Sequence, residues 1–384
     1  MSDAPILFDV SRLIWRQWTG RLPTGIDRVC LAYLEHFQSR TLAAVQFRGF
    51  RRIFDRTGSK RIFDLLLSGS KHFRSNLVAT LAATAGSADR IIAGQIYLNV
   101  GHTGLNSPHM GPWLARQRLR PVFLIHDLIP ITHPQYCREG EDARHKLRME
   151  TALRSAKGLI INSAATRRVL ADFANDHRIT MPPSLIAWLG IDTRPTNPSV
   201  DATFQDRPYF VMVGTIEARK NHLAILEAWR DIVARPGSQA PDLIIIGQRG
   251  WEAADAIAIL DDPGPLKSYV HEMAGCDDAQ MSKLLAGARA MLMPSFVEGF
   301  GLPVVEALHQ RVPVIASDIP VFREIADVIP TYIDPHDRTA WANAVIDYSG
   351  NSVERRRQLA AASAYEAPDW RNHFALVDEF LETL

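Results

Sequence analysis

The sequence predicts an α/β protein made of two doubly wound, parallel-sheet domains in tandem, and three observations carry this. The chain has 384 residues, about two to three times an ordinary domain length. Short aliphatic and β-branched runs alternate with longer amphipathic stretches from end to end, the pattern of a parallel sheet covered by helices on both faces. The alternation breaks at residues 193–208 (TRPTNPSVDATFQDRP), where Pro, Thr, Asp and Asn displace apolar residues as they do in a linker. The expected organisation is a domain over 1–195, a second over 205–368, and a terminal helix over 369–384 that packs back on the first.

In the first half, residues 6–10, 43–47, 96–100, 122–126, 159–162 and 185–189 read as strands. Each is a short apolar run bounded by polar, Gly or Pro residues. Residues 28–38 and 144–156 read as helices between them. In the second half the strands are 209–213, 243–246, 291–293, 312–316 and 331–333. The helices are 222–234, 278–288, 303–310, 321–326 and 339–348. The tail from Trp370 places apolar residues at 370, 374, 377, 380, 381 and 384, a helical stripe with a face to bury. Two such domains bind ligands beyond the carboxyl ends of their strands, so the chemistry is expected in strand-to-helix loops and in the cleft between the domains.

Composition narrows the function. Hydrophobic residues make up 47% and charged residues 22%, which excludes a disordered or fibrous chain. A net charge of +1 argues against a nucleic-acid binder. The halves differ: residues 1–200 hold 27 Lys+Arg against 15 Asp+Glu, and residues 201–384 hold 16 against 27, as if facing different partners. Cys30, Cys137 and Cys276 form no pairing pattern, which suits a reducing cytoplasm. No apolar run approaches the roughly 18–20 residues of a membrane span, and the first residues lack a signal-peptide layout.

The segment 291–318 (MLMPSFVEGFGLPVVEALHQRVPVIASD) is the most informative. A strand leads into a loop holding Glu298, Gly299, Phe300 and Gly301, and a helix starts near Leu302–Pro303. Proline suits a first helical turn, and glycines at such a turn let backbone approach a ligand. The free N–H groups of the first turn attract an anion. Glu306 interrupts the apolar face of that helix and should look toward the loop. Ionised carboxylates accept hydrogen bonds, so Glu298 and Glu306 on either side of an anion site fit a sugar nucleotide.

The segment 211–229 (VMVGTIEARKNHLAILEAW) ends a strand at Gly214, carries Arg219 and Lys220, and opens a helix with Asn221 as expected cap. Two cations at a helix start oppose its dipole unless they hold an anion. Arginine offers a planar fork for phosphate oxygens and lysine a compact charge.

EGFGLPVVEAL, with PS before it and PVIASD after it, resembles the Glu-x7-Glu signature of glycosyltransferase family 4, the retaining enzymes of GT-B architecture. That architecture is two Rossmann-like domains facing across a cleft. The resemblance implies that Glu298 contacts the donor sugar and Glu306 the ribose. It also implies that Gly299, Phe300, Gly301 and Leu302 meet the sugar and diphosphate. GTIEARKN is similar to the family's diphosphate clamp, which makes Arg219 and Lys220, beside Gly214, pyrophosphate ligands. The segment 268–286 resembles the base-binding turn, with the backbone near Val270–Met273 meeting the nucleobase. In VFLIHDLIPITHP (122–134), His126 then corresponds to a ligand of the donor sugar, and Asp127 orients the acceptor or His126. Gly25 in RLPTGIDRV resembles the family's first glycine loop and would admit a phosphate or acceptor, with Asp27 and Arg28 serving the helix start.

Residues 47–74 hold eight Lys+Arg against two Asp. Phe47, Phe50 and Phe54 fall at helical spacing, so the expectation is a basic, aromatic-bearing amphipathic helix that meets an anionic membrane surface. Trp15 and Trp18 are candidates to stack on an acceptor sugar or to pack internally.

Together these readings imply a retaining hexosyltransferase of the cytoplasm, peripheral on the membrane's inner face. It would use a GDP- or UDP-linked sugar, GDP-mannose first, with a glycolipid or polysaccharide acceptor. No cofactor or metal is expected: the chain has no Asp-x-Asp motif, and Arg219 and Lys220 would take the cation's place. The alternatives are a GT-B-fold sugar-nucleotide epimerase and a non-catalytic sugar-nucleotide binder.

Overall fold

A computed structural model describes every residue except 1–5, 21, 22, 48, 85–88, 192–203, 205 and 236–238. The linker expected at 193–208 therefore lies almost wholly outside the described residues. The chain divides into two compact units. One comprises Met1–Ile131, Asp142–Leu189 and Trp370–Leu384, the other Thr132–Glu141 and Gly190–Asp369.

The first unit is built on seven strands: β1 (Ile6–Asp9), β2 (Thr41–Phe47), β3 (Phe50–Ile53), β4 (Ile96–Asn99), β5 (Arg120–Ile125), β6 (Gly158–Ile161) and β7 (Ser184–Ile186). Their order is β3-β2-β1-β4-β5-β6-β7. Residues of β1, β4 and β6 are buried throughout, because helices cover both faces of a parallel sheet. Leu7, Tyr97, Phe123, Ile125, Leu159 and Ile161 pack with helix residues Met149 and Leu153 in one core. The tail helix Trp370–Thr383 belongs to this unit. Its Phe374 stacks on His36 at 4.1 Å, and its His373 ring lies 2.8 Å from the Tyr33 hydroxyl.

The second unit has β8 (Tyr209–Val213), β9 (Asp242–Ile246), β10 (Val270–Met273), β11 (Met291–Met293), β12 (Val314–Ser317) and β13 (Thr331–Ile333). The order is β10-β9-β8-β11-β12-β13, with every pairing parallel. The fully buried Trp229 and Trp341 anchor its core. In both sheets the order reverses at one place, between β1 and β4 and between β8 and β11. Loops leaving neighbouring strands there diverge to opposite faces and open a crevice at the carboxyl ends.

The amphipathic helix expected from residue 47 is not formed. Phe47 ends β2 and Phe50 opens β3, and the two strands pair antiparallel with Phe47 directly opposite Phe50. Gly49, at φ +87°, makes the return, as a two-residue hairpin turn requires. Phe54 is buried, and a helix follows only at Arg56–Leu67, capped by Asp55. Three aromatics spaced like a helical face here flank a hairpin instead.

Candidate active site

β8 and β11 are neighbours, with Met291 opposite Val211. The loop after β8 and the loop after β11 must therefore emerge side by side. This brings Arg219 and Lys220, 78 or more positions earlier in the chain, onto Glu298. Arg219 Nη1 lies 2.7 Å from Glu298 Oε2, and Lys220 Nζ lies 2.5 Å from Glu298 Oε1. The Ser295 hydroxyl donates to Glu298 Oε1 at 2.9 Å. The second arm of Arg219 reaches Glu217 Oε1 at 2.7 Å.

The carboxylates and the lysine are sequestered, Glu298 7% exposed, Lys220 9% and Glu217 2%, while Arg219 is 22% exposed. Burial pushes the Glu298 carboxyl up, but Arg219 and Lys220 more than offset this and hold it at about 2. Burial likewise raises Glu217, and there the two cations only partly compensate, so it stays above the usual carboxylate range. Lys220 is lowered by burial despite the pull of Glu298. The group is thus a dense alternation of acids and cations whose hydrogen bonds are mutually supplied, the condition under which buried charge is tolerated.

The helix after this loop runs Leu302–His309, with Gly301 at its start and Pro303 in its first turn. Gly301 has φ +103°, and a Cβ there would meet the Phe322 ring at 2.7 Å. Only glycine fits both the backbone angle and the space. Gly299 and Phe300 are buried in the turn, and Glu306 is half-buried in the helix's second turn. Gly214 ends β8 at φ +140°, and a Cβ on Gly247, after β9, would lie 2.0 Å from the Gly214 carbonyl oxygen. The loop after β9 can approach Gly214 this closely only because Gly247 lacks a side chain.

Two expectations are corrected. Val270 opens β10, paired with Leu243 near the amino end of the sheet. In a parallel sheet that is the end away from Gly214, Glu298 and Leu302, so Val270 does not join them. Asn221 precedes the helix His222–Val233 but makes no side-chain cap. It adopts φ +58°, which asparagine tolerates, and its amide donates to the Pro335 carbonyl at 2.8 Å and the Pro294 carbonyl at 3.2 Å. It ties three loops together rather than capping one helix. Gly25 is the first residue of the helix Gly25–Phe37, and Asp27 serves that helix start as expected. The Asp27 carboxylate accepts from the Thr24 N–H at 2.8 Å and its hydroxyl at 2.6 Å, and it pairs with Arg12 at 2.7 Å and Arg16 at 3.0 Å.

Also in the first unit, His126 follows β5 and is buried, with Nε2 2.8 Å from the Val100 carbonyl. That contact places the proton on Nε2. Burial lowers its pKa to about 4, so the ring is neutral at pH 7. His102 lies 5.3 Å from it, centroid to centroid, and His145 lies 6.0 Å from His102. Asp127 Oδ1 accepts from the Ile129 N–H at 3.0 Å, fixing the turn after His126.

Glu217, Ser295, Gly247 and His102 escaped the reading of the sequence. Glu217 stands inside GTIEARKN and could have been found by asking what neutralises two adjacent buried cations. Ser295 stands in the PS before the motif, three residues from its partner Glu298; Gly247 and His102 have no local signal, because their partners come from other strands.

Two α/β units with a charged cluster at the switch point of the second define a GT-B-type glycosyltransferase fold. Anabaena HepE in complex with UDP-glucose shares it, with a TM-score of 0.66 at 17% identity over 99% of each chain. Residues 193–365 match the family described as glycosyl transferases group 1. The chain is 31% identical over 240 residues to the serotype-specific mannosyltransferase WbdA of Escherichia coli, a match covering 59% of this chain but 29% of that protein. The chain therefore spans about three-tenths of the length of WbdA. It is also 27% identical over 271 residues to the O-antigen chain mannosyltransferase B of Escherichia coli, covering 68% of this chain and 69% of that one.

Proposed function

We propose that this protein is a retaining, metal-independent hexosyltransferase. It moves a sugar, mannose from GDP-mannose first among the candidates, to an acceptor hydroxyl on a glycolipid or growing polysaccharide. The observation that carries the reading is the seating of Glu298 between Arg219 and Lys220, at the foot of the glycine-started helix Leu302–His309. The names of the mannosyltransferase relatives support the choice of sugar.

In this mechanism the helix start, Arg219 and Lys220 hold the donor diphosphate. They stabilise it as the bond from the anomeric carbon to the phosphate oxygen breaks. The acceptor oxygen bonds to the same face of that carbon, and its proton passes to the leaving phosphate oxygen. Glu298 and Glu306 accept hydrogen bonds from sugar and ribose hydroxyls. Two fixed cations do the electrostatic work of a divalent ion. His126, neutral with a bare Nδ1, and Asp127 take sugar-side roles on the strength of the family resemblance.

An anionic membrane surface belongs to the same reading, and its support shifts from a helix to a hairpin tip. Phe47 and Phe50 are 55% and 67% exposed. The Trp15 ring, 55% exposed, lies 6.5 Å from Phe47, and the Arg74 guanidinium lies over Trp18. Aromatics interleaved with arginine suit the headgroup layer of anionic lipid. The place proposed is the cytoplasm, peripheral on the membrane; no helix among the described residues is long and apolar enough to cross one.

The test is a melting-temperature screen over GDP-, UDP- and dTDP-linked sugars, because a ligand bound only by the folded state raises the midpoint. Incubation of the best donor with lipid-linked saccharides and NMR of the product follow. A shift with GDP-mannose and an α-linked product support the proposal. A β-linked product overturns retention, and an altered sugar nucleotide without acceptor favours the epimerase. Flotation with anionic vesicles at low salt tests the membrane surface, which is refuted if Phe47→Ser/Phe50→Ser floats like the parent.

A further inference from the structure

Residues Thr132–Glu141 come from the first half of the sequence yet belong to the second unit. Pro134–Tyr136 form a tight 3-10 turn, closed by the Tyr136 N–H on the His133 carbonyl at 3.1 Å and the Cys137 N–H on the Pro134 carbonyl at 3.0 Å. The turn lays the Tyr136 ring on Phe296 at 5.0 Å with an interplanar angle of 6°. His133 stacks behind Tyr136 at 6.0 Å and 11°. The ring of Phe296 also packs against His336 at 4.9 Å. The Phe296 N–H donates to the Arg219 carbonyl at 2.9 Å, the backbone bond that docks the Glu298 loop on the Arg219 turn. Two residues beyond Tyr136, the Arg138 guanidinium lies over Trp251 at 4.9 Å. Trp251 follows Gly250, whose N–H donates to the Ile216 carbonyl at 2.9 Å in the loop leading to Glu217.

We propose that Tyr136, assisted by Arg138, is a positioning residue for the donor site, clamping the Glu298 loop and the loop after β9 onto the Arg219 turn. This rests on the donor reading above. A near-parallel stack needs a flat ring, not merely apolar volume. The phenol hydroxyl has no part in it, so phenylalanine serves as well as tyrosine. The segment follows His126 and Asp127 by a few residues in the chain, so the sequence that carries the sugar-side candidates also carries the brace of the diphosphate side.

The full chain is compared as parent, Tyr136→Ala and Tyr136→Phe by hydrogen exchange and by titration with GDP and with UDP. In Tyr136→Ala, amides over 294–300 exchange about tenfold faster, the loss of one well-formed aromatic contact. Strands β9 and β12 of the second unit keep their parent rates, which shows that the variant is folded. The nucleotide that binds the parent binds this variant several-fold more weakly, and Tyr136→Phe restores both properties. Unchanged exchange over 294–300 in Tyr136→Ala overturns the proposal, and so does a Tyr136→Phe variant as loose as alanine. If the parent binds neither nucleotide, the donor reading fails, while the exchange rates still decide the clamp.

Discussion

Replacing Glu298 by Gln keeps the outline of the side chain and removes the one negative charge between Arg219 and Lys220. A carboxyl held at about 2 instead of 4.5 is favoured as its anion by about 3 kcal/mol. Glutamine's carbonyl still accepts hydrogen bonds, and Glu217 stays beside Arg219. The expected loss of unfolding free energy at pH 7 is therefore smaller, about 2 kcal/mol. The sign of the pH dependence follows from the depressed pKa. The stabilisation is complete above about pH 4.5, the unfolded value, and is lost as the pH falls toward 2. At pH 3 the gap between parent and Glu298→Gln should shrink to roughly half or less. Urea unfolding at pH 7 and pH 3, followed by circular dichroism, measures it, and turnover should fall by about 100-fold or more at pH 7. A variant as stable as the parent at pH 7, or a gap that persists undiminished at pH 3, refutes the placement of this carboxylate between two cations.

Gly301→Ala forces a side chain onto a residue at φ +103° and into the Phe322 ring. It should cost about 2–3 kcal/mol in urea unfolding and weaken nucleotide binding. Arg219→Lys keeps the charge but cannot bridge Glu217 and Glu298 with two arms. Turnover should drop by about 10- to 100-fold with little change in melting temperature. Excess EDTA should leave initial rates unchanged if Arg219 and Lys220 supply the positive charge, and an EDTA-sensitive rate restored by Mg²⁺ would contradict that assignment.

The alternation of apolar runs located eleven of the strands within a few residues of where they lie, because a parallel strand buried on both faces has a continuous apolar signature. The strands it omitted are informative. β3 is an antiparallel edge strand with an arginine pair and exposed residues, so neither of its faces carries the buried pattern. β10 (VHEM) is half-buried and reads as polar. The site was legible as two motifs, since glycines, paired carboxylates and adjacent cations at strand ends have local chemical reasons to be there. Their meeting was legible only through the order of the strands.

Periodicity along the chain marked most of the strands and several of the helices, and the motifs marked where charge and bare backbone concentrate. Register and strand order then chose among arrangements that the periodicity leaves equal. They turned Phe47 and Phe50 into a hairpin, set Val270 at the far end of its strand, and drew Asn221 to two distant carbonyls. Tertiary contact, the stack of Tyr136 on Phe296 among it, placed residues 132–141 in the second unit. Local preference acts over a few bonds. Contacts such as Tyr136 on Phe296 join residues far apart in the chain, and their free energy exists only after the unit that holds them has closed around its core.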